Sequence, residues 1–316
     1  MAELINWMVD PLWYSHGNRI TGQNFSFNER ISKTNLLLQS KDEGYDCLIF
    51  GSSRVTLLKE SSFKSRHCFN YSFSAGKIEE FVEYAKLAKV QGINPETVYV
   101  GVDSFNFSQK PVSEKTTVVD IKPGFIAYLS LDVLIFSVKT LLGFSPDPRY
   151  YNQHFESEVI DDLPQFDPTF FNNQTEGLCD RSKVAKYKEL KAIFPDAEFV
   201  GYVPPVSAWN VVNEVYSRDL TDCTLQAFYQ ISRIYDEMYD FSIPSTTTAQ
   251  IGNTYDGSHF YPHVQAQVSL VLQGKNTGFG IELDDYSLAE YEKLYKAKIK
   301  TFLVQEGQEE RWQAYL

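Results

Sequence analysis

The chain has 316 residues, 43% of them hydrophobic and 15% aromatic, enough to bury the core of one large α/β domain or two modest ones. A net charge of −12 without any long Lys/Arg run would repel a phosphate backbone, which argues against nucleic acid as a partner and leaves a neutral glycan or a small ester open as substrate. Cys47, Cys68, Cys179 and Cys223 are scattered, with no C-x-x-C or Cys/His ligand spacing, so no metal site is expected. The ordinary reading of Cys47 is a buried free thiol; one disulfide stays open, with its pairing unassigned. No secretory signal is visible at Met1.

In chain order, residues 1–44 read as a lead-in packed on the domain, with an aromatic patch at Trp7, Trp13 and Tyr14 and a short helix over 28–39. The apolar run 45–50 ends at Gly51-Ser52-Ser53-Arg54, a buried strand that stops abruptly. A second strand is expected at 68–73, followed by Ser74-Ala75-Gly76. A helix over 77–91 carries Ile78, Phe81, Val82, Ala85 and Ala88 at helical spacing and is stopped by Gly92 and Pro95. The run 97–102 is a third strand, ending at Asp103-Ser104-Phe105-Asn106.

From about 107 to 177 the pattern breaks. So long an irregular stretch reads equally as a lid or substrate platform and as a surface insertion. Its most apolar part, 125–143, approaches membrane-spanning length but contains Asp132 and Lys139, and is expected to form one or two buried or lid helices rather than a span. Its hydrophobicity also suits contact with a lipid or a membrane-bound partner.

Alternation then returns, with helices at 183–194, 221–237 and 262–272 and strands at 197–203 and 238–243. The last amphipathic helix spans 288–302. Strands alternating with helices predict an α/β fold, a three-layer α/β/α sandwich around a mostly parallel five-stranded sheet. The expected organisation is a lead-in at 1–44, an α/β domain at 45–275 with an insertion at about 107–177, and a C-terminal helix and tail at 276–316. No G-x-G-x-x-G or P-loop motif supports nucleotide binding, and no cofactor is expected.

Ser53 lies just past the end of a central strand, where open α/β sheets place their ligands. Serine becomes a nucleophile at neutral pH only with an imidazole in reach, and the imidazole needs a carboxylate to fix its tautomer. Asp256-Gly257-Ser258-His259 supplies both from one loop. Among the five histidines, only His259 follows a strand end with an acid close by. The expected catalytic set is therefore Ser53, His259 and Asp256.

At these residues the chain resembles the SGNH/GDSL hydrolase superfamily, over roughly 45–272. Gly51-Ser52-Ser53 stands for the first block, 70–76 for the second, Gly101-Val102-Asp103-Ser104 for the third and 256–259 for the last. The GSSR form, the Pro204-Pro205 pair and the DGSHFYP form are most similar to membrane-associated members from cell-surface polysaccharide loci, of the alginate O-acetylation and teichoic acid D-alanylation type. The resemblance implies a flavodoxin-like arrangement, an extracytoplasmic site of action and an oxyanion site. It implies that Ser53 and either Ala75 or Gly76 supply backbone N–H donors to that site. Two positions depart from the pattern. The second-block glycine falls on or beside Ala75, and the third-block asparagine falls on Asp103, whose carboxylate would oppose a developing oxyanion. Either Arg54 pairs with Asp103 and leaves Asn106 or backbone groups as donors, or Asp103 points away. Losing one oxyanion donor costs about 100- to 1000-fold in rate.

The expected function is a serine esterase or O-acyltransferase, most simply O-acetyl, acting on an acylated carbohydrate or a small ester. The partners this implies are membrane-associated polysaccharide machinery. The alternative is a weak or inactive protein of the same fold that binds glycan or scaffolds such machinery.

Overall fold

The computed structural model describes residues 2–108, 124–172 and 175–313. Its strands are β1 (Cys47–Phe50), β2 (Cys68–Asn70), β3 (Thr97–Gly101), β4 (Arg149–Tyr151), β5 (Ser157–Val159), β6 (Glu198–Val203), β7 (Glu237–Asp240) and β8 (Ile281–Glu282). Six of them form one sheet in the order β2-β1-β3-β6-β7-β8. The first five run parallel and β8 closes the edge antiparallel to β7. The five parallel strands match the sequence expectation, and the sixth corrects it. Two residues are too few to leave an alternating pattern in a sequence. Strand order reverses between β1 and β3, so their C-terminal ends open the crevice that doubly wound sheets use for ligands.

Both faces of the sheet are apolar, as a covered parallel sheet requires. Leu48, Phe50, Val98, Val100 and Phe199 point into the larger core; Ile49, Tyr99, Val200 and Tyr202 alternate with them into the second. The helices are α1 (Ala2–Val9), α2 (Glu29–Ser40), α3 (Ile78–Val90), α4 (Gly124–Tyr128), α5 (Leu131–Leu141), α6 (Val184–Ile193), α7 (Ala208–Glu214), α8 (Thr221–Ser232), α9 (Pro262–Val271), α10 (Leu288–Gln305) and α11 (Glu309–Gln313). On the first face α3 packs on α6, α6 on α8 and α8 on α10. Val264 and Val268 of α9 fill the second core.

Some boundaries differ from expectation for local reasons. β7 ends at Asp240 because that side chain takes the Ser242 N–H at 2.7 Å and turns the chain out of the ladder. The unexpected α7 starts where the Ser207 hydroxyl accepts the Asn210 N–H at 3.2 Å, an N-cap hidden behind Pro204-Pro205. α11 packs on α10, and Trp312 stacks on Tyr216 with ring centroids 6.0 Å apart.

The lead-in and the insertion fold onto each other. Asn24 bridges Tyr151 of the β4–β5 hairpin, α1 packs on α5, and Trp13, Phe27, Tyr151 and Phe155 share a small core. Within the expected insertion, residues 109–123 and 173–174 lie outside the described residues. The apolar segment forms two helices, α4 and α5, as expected, and only part of their surface is buried. Val133, Ser137 and Thr140 face inward, while Phe125 and Leu131 are 72% and 74% exposed. Leu4 and Trp7 of α1 and Ile135 and Leu142 are exposed too, on helices that pack on one another. Among the described residues, no helix is long and apolar enough to cross a membrane.

The cysteines also correct the sequence reading. Cys47 is not free: it pairs with Cys68, its register partner on the neighbouring strand, and Cys179 pairs with Cys223. Both pairings depend on which segments end up adjacent in space, which residue spacing does not carry.

Candidate functional site

Three strand ends deliver three polar turns to one edge of the sheet. β1 leads to Ser52 and Ser53, β2 to Ser74 and Ala75, and β3 to Asp103 through Asn106. Gly51 makes the first turn close: a side chain there would run into Val55, whose nearest atom lies 2.3 Å from the position of a Cβ. The turn is then held by the Val55 N–H to the Ser52 carbonyl at 3.0 Å. Ser53 is left partly buried on the wall of a cavity of about 740 Å³, together with Arg54, Ala75, Asn106, Ser258 and His259.

The loop that brings His259 is folded by its own polar groups. Thr254 Oγ1 donates to the His259 carbonyl at 2.7 Å and accepts the Gly257 N–H at 2.9 Å. Asp256 Oδ1 takes the N–H groups of Ser258 and His259 at 2.9 and 2.8 Å. Gly257 is required here: its φ is +82°, and a Cβ would lie 2.6 Å from Phe166 and 2.8 Å from Ser207 Oγ. The result is a direct contact between Asp256 Oδ2 and His259 Nδ1 at 2.7 Å. Burial alone would raise the Asp256 carboxyl. The His259 ring and the two backbone N–H groups outweigh burial and hold it below its ordinary value. An ionised Asp256 fixes the proton on Nδ1 and leaves the lone pair on Nε2. His259 lines the cavity, and its Nε2 is buried with no hydrogen-bond partner among the described residues. Tyr255, which sequence reasoning missed, stacks on the imidazole with centroids 5.4 Å apart and planes 5° from parallel. Its only sequence signal was its place one residue before Asp256.

The residues expected at the oxyanion site separate into two groups. Ala75 and Asn106 line the cavity; Gly76 and Asp103 stand behind its wall. Ala75 adopts φ +52°, the left-handed region that glycine enters freely and that costs an alanine on the order of 1 kcal/mol. The backbone geometry of a glycine is therefore kept at Ala75 without the glycine. Gly76 donates its N–H to the Phe73 carbonyl at 3.0 Å, which commits that group to the turn. Asn106 accepts the Ile78 N–H on Oδ1 and gives one Nδ2 hydrogen to the Asp103 carbonyl at 3.4 Å, leaving its second amide hydrogen over.

Asp103 is 1% exposed and paired with Arg54, Nη1 to Oδ1 at 3.0 Å. Of the two arrangements weighed from sequence, the structure has the Arg54 pair. The other arm of Arg54 reaches Glu214 at 3.4 Å and Ser258 Oγ at 3.3 Å. Burial works against a charged guanidinium, but Asp103 and then Glu214 outweigh it and raise Arg54 above its ordinary value. The carboxylate at position 103 is thus neutralised beside the site instead of facing it. Glu214 and Asn210, contributed by the unexpected α7, had no sequence signal. Asn210 Nδ2 meets Ser258 Oγ at 3.3 Å and steadies the loop that carries His259.

Among the described residues, no cluster of three His, Cys, Asp or Glu has the arrangement of a metal site. The arrangement offers a hydroxyl, an imidazole oriented by a carboxylate, and amide donors around one cavity. That is the equipment of nucleophilic acyl transfer. No protein-family model matches the chain, and no curated protein matches it in sequence.

Proposed function

We propose that the chain is a serine esterase or O-acyltransferase of SGNH type, acting on an acylated carbohydrate. The observation that carries this reading is that His259, its imidazole held by Asp256, and Ser53 line the same cavity. Ser53 Oγ attacks the ester carbonyl and gives its proton to Nε2. His259 returns that proton to the leaving alkoxide as the acyl-enzyme forms. Water or a sugar hydroxyl then attacks, with His259 again taking the proton. The Ser53 and Ala75 N–H groups and the Asn106 amide would face the tetrahedral oxyanion. Lys77, Glu79, Asp180 and Thr224 on the cavity wall, beside the apolar Phe105, Val215 and Leu220, offer the polar and apolar contacts that a carbohydrate uses. The two disulfides favour an oxidising, extracytoplasmic compartment. The open apolar face of α1, α4 and α5 favours work beside a membrane-associated polysaccharide assembly.

The test is hydrolysis of short acyl esters by the wild type and by Ser53→Ala. Loss of activity in the variant supports the nucleophile, and equal activity overturns it. A second reading is favoured by one observation: His259 Nε2 makes no hydrogen bond to Ser53. On that reading the protein binds glycan without cleaving or acylating it. A serine-reactive fluorophosphonate separates the two, because only a working nucleophile is labelled.

A further inference from the structure

The turn that carries Ala75 is gripped from outside the α/β body. Every polar group of Ser74, the residue before Ala75, has a charged partner. Its N–H donates to Glu29 Oε2 at 2.5 Å. Its carbonyl accepts from Arg30 Nη1 at 3.1 Å. Its hydroxyl donates to Asp147 Oδ2 at 3.1 Å and accepts from Arg149 Nη2 at 2.5 Å. Glu29 and Arg30 open α2 of the lead-in, while Asp147 and Arg149 belong to the insertion. The two halves are locked together by Arg149 Nη2 to Glu29 Oε1 at 3.1 Å, with Tyr151 donating to the same oxygen at 2.5 Å. Glu29 and Arg149 are 4% and 1% exposed, so this is a buried ion pair. Arg149 also acts electrostatically on Tyr255, the ring stacked on His259.

A buried charge pair is seldom kept for stability alone, since an apolar pair of the same volume serves as well. Here it converges on a backbone turn held in a left-handed conformation, beside the nucleophile. We infer that Glu29, Arg30, Asp147 and Arg149 are positioning residues that hold the Ala75 N–H in place as an oxyanion donor. The lead-in and the insertion would thus be parts of the catalytic apparatus, although neither carries a reacting group. The inference rests on the esterase reading above. A donor displaced by a fraction of an ångström keeps substrate binding but loses transition-state stabilisation, so the loss belongs in kcat and not in KM.

The experiment compares Glu29→Gln, Arg30→Met, Arg30→Lys and Ser74→Ala with the wild type and Ser53→Ala, on acyl esters, in the full chain. Gln offers one acceptor oxygen where Glu29 uses two, so it cannot hold both Arg149 and Ser74. In Glu29→Gln, Arg30→Met and Ser74→Ala, kcat should fall about 10- to 100-fold, part of the roughly 100- to 1000-fold that a lost donor costs, with KM held within about threefold. Arg30→Lys, which keeps a donor for the Ser74 carbonyl, should recover most of the loss. Hydrogen exchange at the Ser74 amide should speed up in Glu29→Gln. If Glu29→Gln does not fold, Arg30→Met and Ser74→Ala decide, because both leave the buried pair intact.

Folded variants with wild-type kcat, while Ser53→Ala is dead, overturn the positioning role and leave the esterase reading standing. Equal losses in kcat and melting temperature without rescue by lysine also overturn it. A wild-type chain that neither hydrolyses esters nor takes up a fluorophosphonate removes both.

Discussion

The 2.7 Å contact between Asp256 and His259 sets what a single side chain can be asked to do. Asparagine at 256 would keep the shape of the loop but lose the charge that fixes the imidazole tautomer. Asp256→Asn should therefore lower kcat on the order of 10³- to 10⁴-fold while leaving the melting temperature within a few degrees, read by ester kinetics and thermal unfolding. Glu29 makes a different kind of prediction. Burial pushes its carboxyl up, but Arg149, then Lys33 and the Tyr151 hydroxyl, hold it down at about 2. Its folded value lies below the unfolded one, so its contribution is present above about pH 4.3 and is lost as pH falls toward 2. A depression of that size corresponds to about 3 kcal/mol for so buried a group. Acid unfolding of the wild type should be steep between pH 4 and 2, and Glu29→Gln should flatten it. Parallel profiles would refute the coupling.

At the scale of elements, the segments with a strong local pattern were legible and those fixed by distant contacts were not. β1, β3 and β6 announce themselves as short apolar runs, and α3 and α10 by their spacing. Tyr291, Tyr295, Ile299, Phe302 and Leu303 are the buried side of α10. The Ser53 turn and the Asp256–His259 loop were readable because each is a few consecutive residues after a strand. Asp103 was readable as a problem but not as an answer, because the Arg54 pair joins residues 54 and 103 across two strand ends. α7 was hidden by its seven-residue length, and with it Asn210 and Glu214. One disulfide was left open by the sequence and neither pairing was assigned, because Cys47–Cys68 follows from strand order and Cys179–Cys223 from contacts between distant segments, neither of which is local. Each bridge should matter to stability. Closing the 21-residue separation between Cys47 and Cys68 stabilises by about 3 kcal/mol in a chain-entropy account, so a Cys47→Ala/Cys68→Ala chain should melt several degrees lower in thermal unfolding. An unchanged melting temperature would deny the bridge that role.

For the whole molecule, exposed apolar side chains are concentrated in one region. Large exposed hydrophobic side chains gather on α1, α4, α5 and the turn at Phe144, whereas the chain as a whole carries −12. Contiguous patches of this kind mark contact surfaces. Phe125→Lys/Leu131→Lys should leave ester hydrolysis and melting temperature unchanged but weaken flotation with zwitterionic lipid vesicles. Equal flotation of the two proteins would exclude a lipid-facing role for the face.

The interlocking of the first forty-odd residues with the hairpin near Tyr151 has a practical corollary for anyone redesigning this scaffold. Trimming the chain back to the first strand would not leave the turn at Ala75 intact, because it would remove Glu29 and Arg30 and leave the buried Arg149 with Asp147 alone as counter-charge. Grafting a foreign hairpin at 145–160 to alter substrate choice would fail for the mirror-image reason. The two segments form one module split across the gene, and a transplant has to carry both halves or neither.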